Sequence, residues 1–158
     1  MLVRIFEKMN SVFQIIILKI IYGNRLIIGK NLSVRGKFNV RISPNASIII
    51  GDNCFFNNGC SLNAKEKIKI GNDCLFGENV KLYDHDHVYD KRGLIRENGY
   101  KTNPIDIGNN VWICSDVIVL RKTAIENNCV IAAKEIVKGR VEENQIFLNG
   151  ETRNIEYR

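Results

Sequence analysis

One register dominates this 158-residue sequence: apolar residues recur at every sixth position. Ile50, Phe56 and Leu62 keep it, as do Ile70, Phe76 and Leu82, and the longest run is Ile107, Ile113, Val119, Ile125, Ile131 and Val137. A helix repeats every ~3.6 residues and an ordinary strand every ~2, so neither holds this beat over so long a run. A triangular coil with one short strand per side does, because each sixth side chain then points inward and stacks on the coil below. A phrase punctuates the beat: Leu26-Ile27-Ile28-Gly29-Lys30-Asn31, Ile48-Ile49-Ile50-Gly51-Asp52-Asn53, Ile68-Lys69-Ile70-Gly71-Asn72-Asp73 and Ile105-Asp106-Ile107-Gly108-Asn109-Asn110. Thr123-Ala124-Ile125-Glu126-Asn127-Asn128 is a weaker copy. Each is a short strand running into a turn of Gly, Asn and Asp, residues that tolerate positive φ. The pattern predicts an all-β, parallel β-helix.

The same register explains the cysteines. Five are present, with no C-x-x-C pair, which argues against a disulfide framework or a zinc ribbon and fits a reducing, cytoplasmic compartment. Cys54, Cys60, Cys74 and Cys129 each stand four residues after a stacking aliphatic, a slot filled elsewhere by Val80, Val111, Val117 and Thr123. They are expected inside, as small apolar filler. Cys114 lies one residue after a stacking position and is not placed by this rule. The formal net charge of +6 favours anionic partners such as polyphosphate ligands or acidic lipid surfaces. No Lys/Arg run interleaved with aromatics supports nucleic-acid binding.

Residues 1–23 stand apart from the coil, which is expected over 24–158. Val12 to Tyr22 are mostly apolar, but Lys19 interrupts them and the stretch is too short to span a bilayer, for which ~20 residues are needed. At helical spacing Ile5, Met9, Val12, Phe13, Ile16 and Ile20 share a face, with Arg4, Lys8 and Lys19 elsewhere. Two readings stand: a helix that packs against one end of the domain, or a basic amphipathic helix whose residues 1–22 rest on the inner face of a membrane.

The beat breaks once. After Leu82 the chain reads Tyr83-Asp84-His85-Asp86-His87, then a polar excursion over 88–104 carries it to Ile105. A long loop thrown from a regular solenoid is usually functional, and both histidines of the protein stand at its start. A metal site is one reading, with Asp84 or Asp86 as extra ligands, although two histidines fall short of the three that hold zinc in carbonic anhydrases of this architecture. General-base catalysis is another, since a hydroxyl needs a base near its operating pH to attack a thioester. Two solvated loop histidines is the plainest.

Pro104-Ile105-Asp106-Ile107-Gly108-Asn109-Asn110-Val111-Trp112-Ile113 resembles the P-I-x-I-G-x-x-V-W-I-G signature of the hexapeptide-repeat acetyltransferases that act on maltose, galactosides, xenobiotics and capsular polysaccharides. The likeness runs from about Ile28 to the C-terminus. It implies a left-handed β-helix, acetyl-CoA as co-substrate, no metal, and a homotrimer with active sites between subunits. By position it makes His87 the general base and Asn57 a residue that positions the acceptor, with His85 and Asp84 as acceptor contacts. It sets Trp112 and Ser115 at the mouth of the acetyl-CoA channel, Ala133 along the pantetheine, and Lys138, Arg140 and Arg153 near the phosphates. The implied reaction is direct acetyl transfer without an acyl-enzyme.

The sequence departs from the family where Cys114, Lys122, Glu126, Ala132 and Lys134 replace its glycines, and where Asn149-Gly150-Glu151-Thr152-Arg153 replaces a G-N-P-A-K. Glycines permit close approach to a ligand, so a non-catalytic or metal-binding β-helix stays open beside the enzyme. The short N-terminal segment is similar to the polysaccharide-modifying branch, which points to a sugar hydroxyl of a surface or capsular polysaccharide or its precursor. Free sugars, an amino sugar's nitrogen or a xenobiotic alcohol are the other acceptors.

Overall fold

The computed structural model describes residues 2–156, with side chains from Glu7 onward. Three parallel sheets form the sides of a coil, as the beat predicts. The recurrent phrase builds the first side, where Leu26–Ile28, Ser47–Ile50, Lys67–Ile70, Ile105–Ile107, Ala124–Ile125 and Arg140–Val141 pair in that order. The second side runs from Ser33–Val34 through Phe55–Phe56 and Trp112–Ile113 to Gln145–Leu148, on which the last strand, Glu151–Asn154, folds back antiparallel. Phe38–Ile42, Cys60–Ala64, Lys81–Tyr83, Ile118–Leu120 and Ile136–Val137 make the third.

Residues on the six-residue beat fill the interior. Ile50, Phe56, Leu62, Ile113, Val119 and Ile131 are all buried, and the Phe56 and Phe76 rings stack at 4.2 Å. The cysteines occupy the slot expected of them: Cys54, Cys60, Cys74 and Cys129 are buried and free, while Cys114 is half-buried. Cys60 Sγ donates to the Gly77 carbonyl at 3.1 Å.

The corners explain the Gly/Asn/Asp turns. Asn31, Asn53, Asp73, Asn110 and Asn128 all adopt φ of 53–58°, and their side chains form a ladder, with Asn31 Nδ2 donating to Asn53 Oδ1 and Asn53 Nδ2 to Asp73 Oδ1, both at 2.9 Å. Coils approach so closely there that a Cβ on Gly51 would stand 2.4 Å from Asn72 Oδ1 and 2.6 Å from the Gly71 backbone. At other corners the left-handed residue is Lys122 (φ 66°) or Lys134 (φ 65°).

Helix α1 (Leu2–Tyr22) covers the open end of the solenoid. An uncovered first coil would expose apolar stacking residues and unpaired strand backbone. Ile15, Leu18 and Tyr22 pack on the core, and polar side chains serve the backbone. Ser11 Oγ accepts from Val34 N–H at 2.9 Å, Gln14 Nε2 donates to Gly36 O at 2.8 Å, and the Tyr22 hydroxyl donates to Val40 O at 2.8 Å. The helix therefore docks on the domain's end, but not through the stripe picked out by apolar spacing. Met9, Val12, Phe13, Ile16 and Ile20 do share a face, and it points outward, with Ile20 77% and Met9 66% exposed. The docked face had to carry donors and acceptors for the first coil, so it is the less apolar one. Ile5 and Arg4, part of the same helical reading, lie outside the described side chains.

Candidate active site

The excursion is a hairpin rather than a free loop. His85–His87 pairs antiparallel with Tyr100–Thr102, opposing His85 to Thr102, Asp86 to Lys101 and His87 to Tyr100. Asn103 N–H then donates to Asp84 O at 3.0 Å and Val88 N–H to Gly99 O at 3.1 Å, so the two ends close on each other and residues 89–98 make the connection. Strand alternation puts His85 and His87 on one face and Asp86 on the other. On the histidine face Tyr100 packs against both rings, at 5.5 Å from His85 and 4.5 Å from His87. On the far face Arg121 Nε donates to Asp86 Oδ2 at 2.5 Å and Arg121 Nη1 to Asn103 Oδ1 at 2.8 Å, a latch between hairpin and coil.

Asp84 holds the base of the hairpin. It is fully buried, and its carboxylate accepts from Lys65 N–H at 2.8 and 3.0 Å and from Glu66 N–H at 2.8 Å. Its Oδ1 also lies 2.9 Å from His85 Nδ1. A carboxylate on Nδ1 keeps the proton there and leaves Nε2 with its lone pair outward. Asp84 thus presents no exposed atom, and it meets the cleft only through its contact with His85. His87 is exposed.

Both histidines open into a cleft of about 340 Å³. Tyr100 and Lys65 share its wall, Lys65 Nζ standing 3.6 Å above the Tyr100 ring. Arg41, Ser43 and Asn63 line it from the third side, and Tyr22 from the end of α1. Tyr100, Lys65, Arg41 and Arg121 were not legible as site residues. Only the alternation of His85 and His87, with a tyrosine on the returning strand, hinted at the pairing.

The other expected residues lie elsewhere on the coil. Asn57, Ser115 and Ala133 follow strands of the second side and stand at its corner with the third, whereas the histidines leave the corner between the third and first sides. Asn57 Oδ1 caps the next N–H at 2.8 Å, and Ser115 Oγ accepts from Glu78 N–H at 3.1 Å. Trp112 is half exposed between Leu75 and Val130 on the second side. Of the expected phosphate partners, Lys138 is exposed and makes no ion pair among the described residues. Arg140 is held by Glu142 at 2.9 Å and Glu126 at 2.7 Å, which raise its basicity further, and Arg153 is 3.9 Å from Glu151. No single chain brings all these residues to one place. Among the described residues no three His, Cys, Asp or Glu side chains cluster as metal ligands would.

Burial pushes the Cys60 thiol up to about 11 and raises Cys114 and Cys129 as well, so a thiolate is scarce there at neutral pH, while Cys54, lowered by its hydrogen bond with Cys74, is fully buried and out of reach of a substrate.

No family model matches the chain. It is 33% identical over 108 residues to the galactoside O-acetyltransferase of Escherichia coli, covering 68% of this chain and 52% of that protein. Among solved structures, a maltose O-acetyltransferase from Clostridium difficile superposes with a TM-score of 0.73 at 27% identity, over 87% of this chain and 73% of that one. A galactoside acetyltransferase in complex with coenzyme A gives 0.72 at 29% identity, over 82% and 64%. The chain spans about half the length of the curated relatives it matches. By its coil, its histidine-bearing break and these likenesses together, the chain is a hexapeptide-repeat β-helix similar in sequence and fold to the acetyltransferases built on that coil.

Proposed function

We propose that this protein transfers the acetyl group of acetyl-CoA to a sugar hydroxyl, with His87 as general base. The observation that carries the reading is the hairpin, which sets two histidines against one cleft where the coil is interrupted. His87 takes the hydroxyl proton as the oxygen attacks the thioester carbonyl. The tetrahedral adduct then expels the coenzyme A thiolate, which receives the proton. Four of the five cysteines are buried and burial raises the fifth, Cys114, which argues against an acyl-enzyme. His85, steadied by Asp84, is the second candidate for the base. His87→Ala and His85→Ala, compared by turnover with acetyl-CoA and by melting temperature, decide between them: the base is the one whose loss abolishes transfer in a folded protein. Retained turnover in both defeats the reading.

The separate corners support a homotrimer. If the histidine corner of one subunit faces the corner of Ser115 and Ala133 on its neighbour, acceptor and acetyl-CoA share one interface. Trp112, between Leu75 and Val130, offers a flat apolar surface for the pantetheine arm, and Lys138 a cation for a phosphate. A monomer by sedimentation that still turns over would end this part. The acceptor we propose is a surface or capsular polysaccharide or its precursor, met at the inner face of the membrane. The outward stripe of α1, flanked by Lys8 and Lys19, suits an interfacial helix, although no helix among the described residues is long and apolar enough to cross a bilayer. Flotation with anionic vesicles checks this. Ile16→Ser with Ile20→Ser should lose vesicle binding, and equal binding by the variant would remove the membrane from the picture.

A further inference from the structure

Three cations gather at the histidine cleft, and none has a carboxylate partner among the described residues. Arg41 stands exposed on the strand Phe38–Ile42 and lines the cleft. Lys65 lines it from the next coil, its ammonium resting on the Tyr100 ring. Arg25, just behind, donates Nη1 to the carbonyls of Ile42 at 3.0 Å and Ser43 at 3.2 Å, neutral acceptors that leave its charge uncompensated. No aspartate or glutamate lines the cavity. The carboxylate that touches its wall, Asp84, is buried and taken up by the Lys65 and Glu66 N–H groups and by His85.

Positive groups collected in a partly enclosed cleft repel one another until an anion enters, and the low-dielectric walls strengthen its attraction. Arg41 adds a planar fork that matches a carboxylate or phosphate. We infer that the acceptor seated here is an acidic sugar, its carboxylate or phosphate held between Arg41 and Lys65 while a ring hydroxyl faces His85 and His87. Ser43 and Asn63, which line the same cleft, supply polar atoms for the remaining hydroxyls. The transfer step rests on the acetyltransferase reading, but the anion site does not.

The test is calorimetric binding of glucuronate, glucose 1-phosphate and glucose to the full chain without acetyl-CoA. At least one anion should bind about tenfold or more tightly than glucose, an advantage that added salt weakens. Glucuronate ahead identifies a uronic-acid unit, and glucose 1-phosphate ahead a phosphate-linked sugar. Arg41→Gln and Lys65→Gln should each erase most of the advantage without lowering the melting temperature, and Arg41→Lys should keep part of it. No advantage of either anion over glucose overturns the inference, as does an advantage that survives both glutamine variants. Anion binding without acetyl-CoA binding would leave this site standing and remove the transferase. Acetylation of a neutral sugar with no anion preference would do the reverse.

Discussion

In the stacked coils each inward side chain meets its own counterpart one rung away, as Phe56 meets Phe76 and Ile113 meets Ile131. In the hairpin every important partner is of a different kind: carboxylate to backbone N–H, imidazole to tyrosine, arginine to aspartate. The coil repeats one apolar solution and concentrates stability. The hairpin interrupts it and spends buried polar contacts on orientation. Changes in the hairpin should therefore alter turnover more than stability, and changes in the stack the reverse.

The largest effect expected is on the hairpin side. His87→Ala should lower turnover by roughly 10²–10⁴-fold, the usual worth of a positioned general base. Its exposed ring touches Tyr100 on the hairpin but lies outside the stacked core, so the melting curve should barely move. Steady-state kinetics beside thermal unfolding reads both. A variant that lost stability and activity in step would erase the distinction between the regions. Phe56→Ala is the counterpart in the coil. It removes a fully buried ring stacked at 4.2 Å on Phe76 and at 4.8 Å from Phe38, and should cost about 3–5 kcal/mol in a denaturant titration.

These two regions also differ in how far they could be read in advance. The coil was legible because a single period fixes which side chains point in, down to the slot shared by Cys54, Cys74 and Val80. The two histidines were legible because they sit where the period stops. Their surroundings were not, since His87 meets Tyr100 through a strand pair with no apolar alternation to announce it. The N–H groups that hold Asp84 belong to the previous coil, 18 and 19 residues away. Apolar spacing likewise marked the wrong face of α1 for docking, because the end of a solenoid needs hydrogen bonds, which Ser11, Gln14 and Tyr22 provide.

Asp84 belongs to both regions and sharpens the contrast. Asp84→Asn would turn an NH₂ toward N–H groups that now meet a carboxylate, and would loosen His85. A loss of about 2 kcal/mol is expected, within the range for hydrogen bonds to a charged group. Turnover should fall as well, through the ring's orientation. Measured below the variant's melting temperature, the turnover loss should persist. Full activity there would mean that Asp84 serves the coil alone.

The smallest effect probes the coil's corners. Lys134 holds φ at 65°, the region where an L side chain crowds its own carbonyl, at a corner where Gly59, Asn79 and Asp116 take the same turn in other coils. Lys134→Gly removes that crowding, and the extra freedom glycine gains in the unfolded chain offsets part of the relief. The net gain should be no more than about 1 kcal/mol, seen as a small rise in the denaturation midpoint at an unchanged slope. Because Ala133, its neighbour in sequence, lies on the edge assigned to the pantetheine arm, acetyl-CoA affinity should be measured on the same variant. Greater stability with unchanged affinity would make the lysine a tolerated strain of the coil. Greater stability with weaker binding would mean that the strained turn is kept for the ligand.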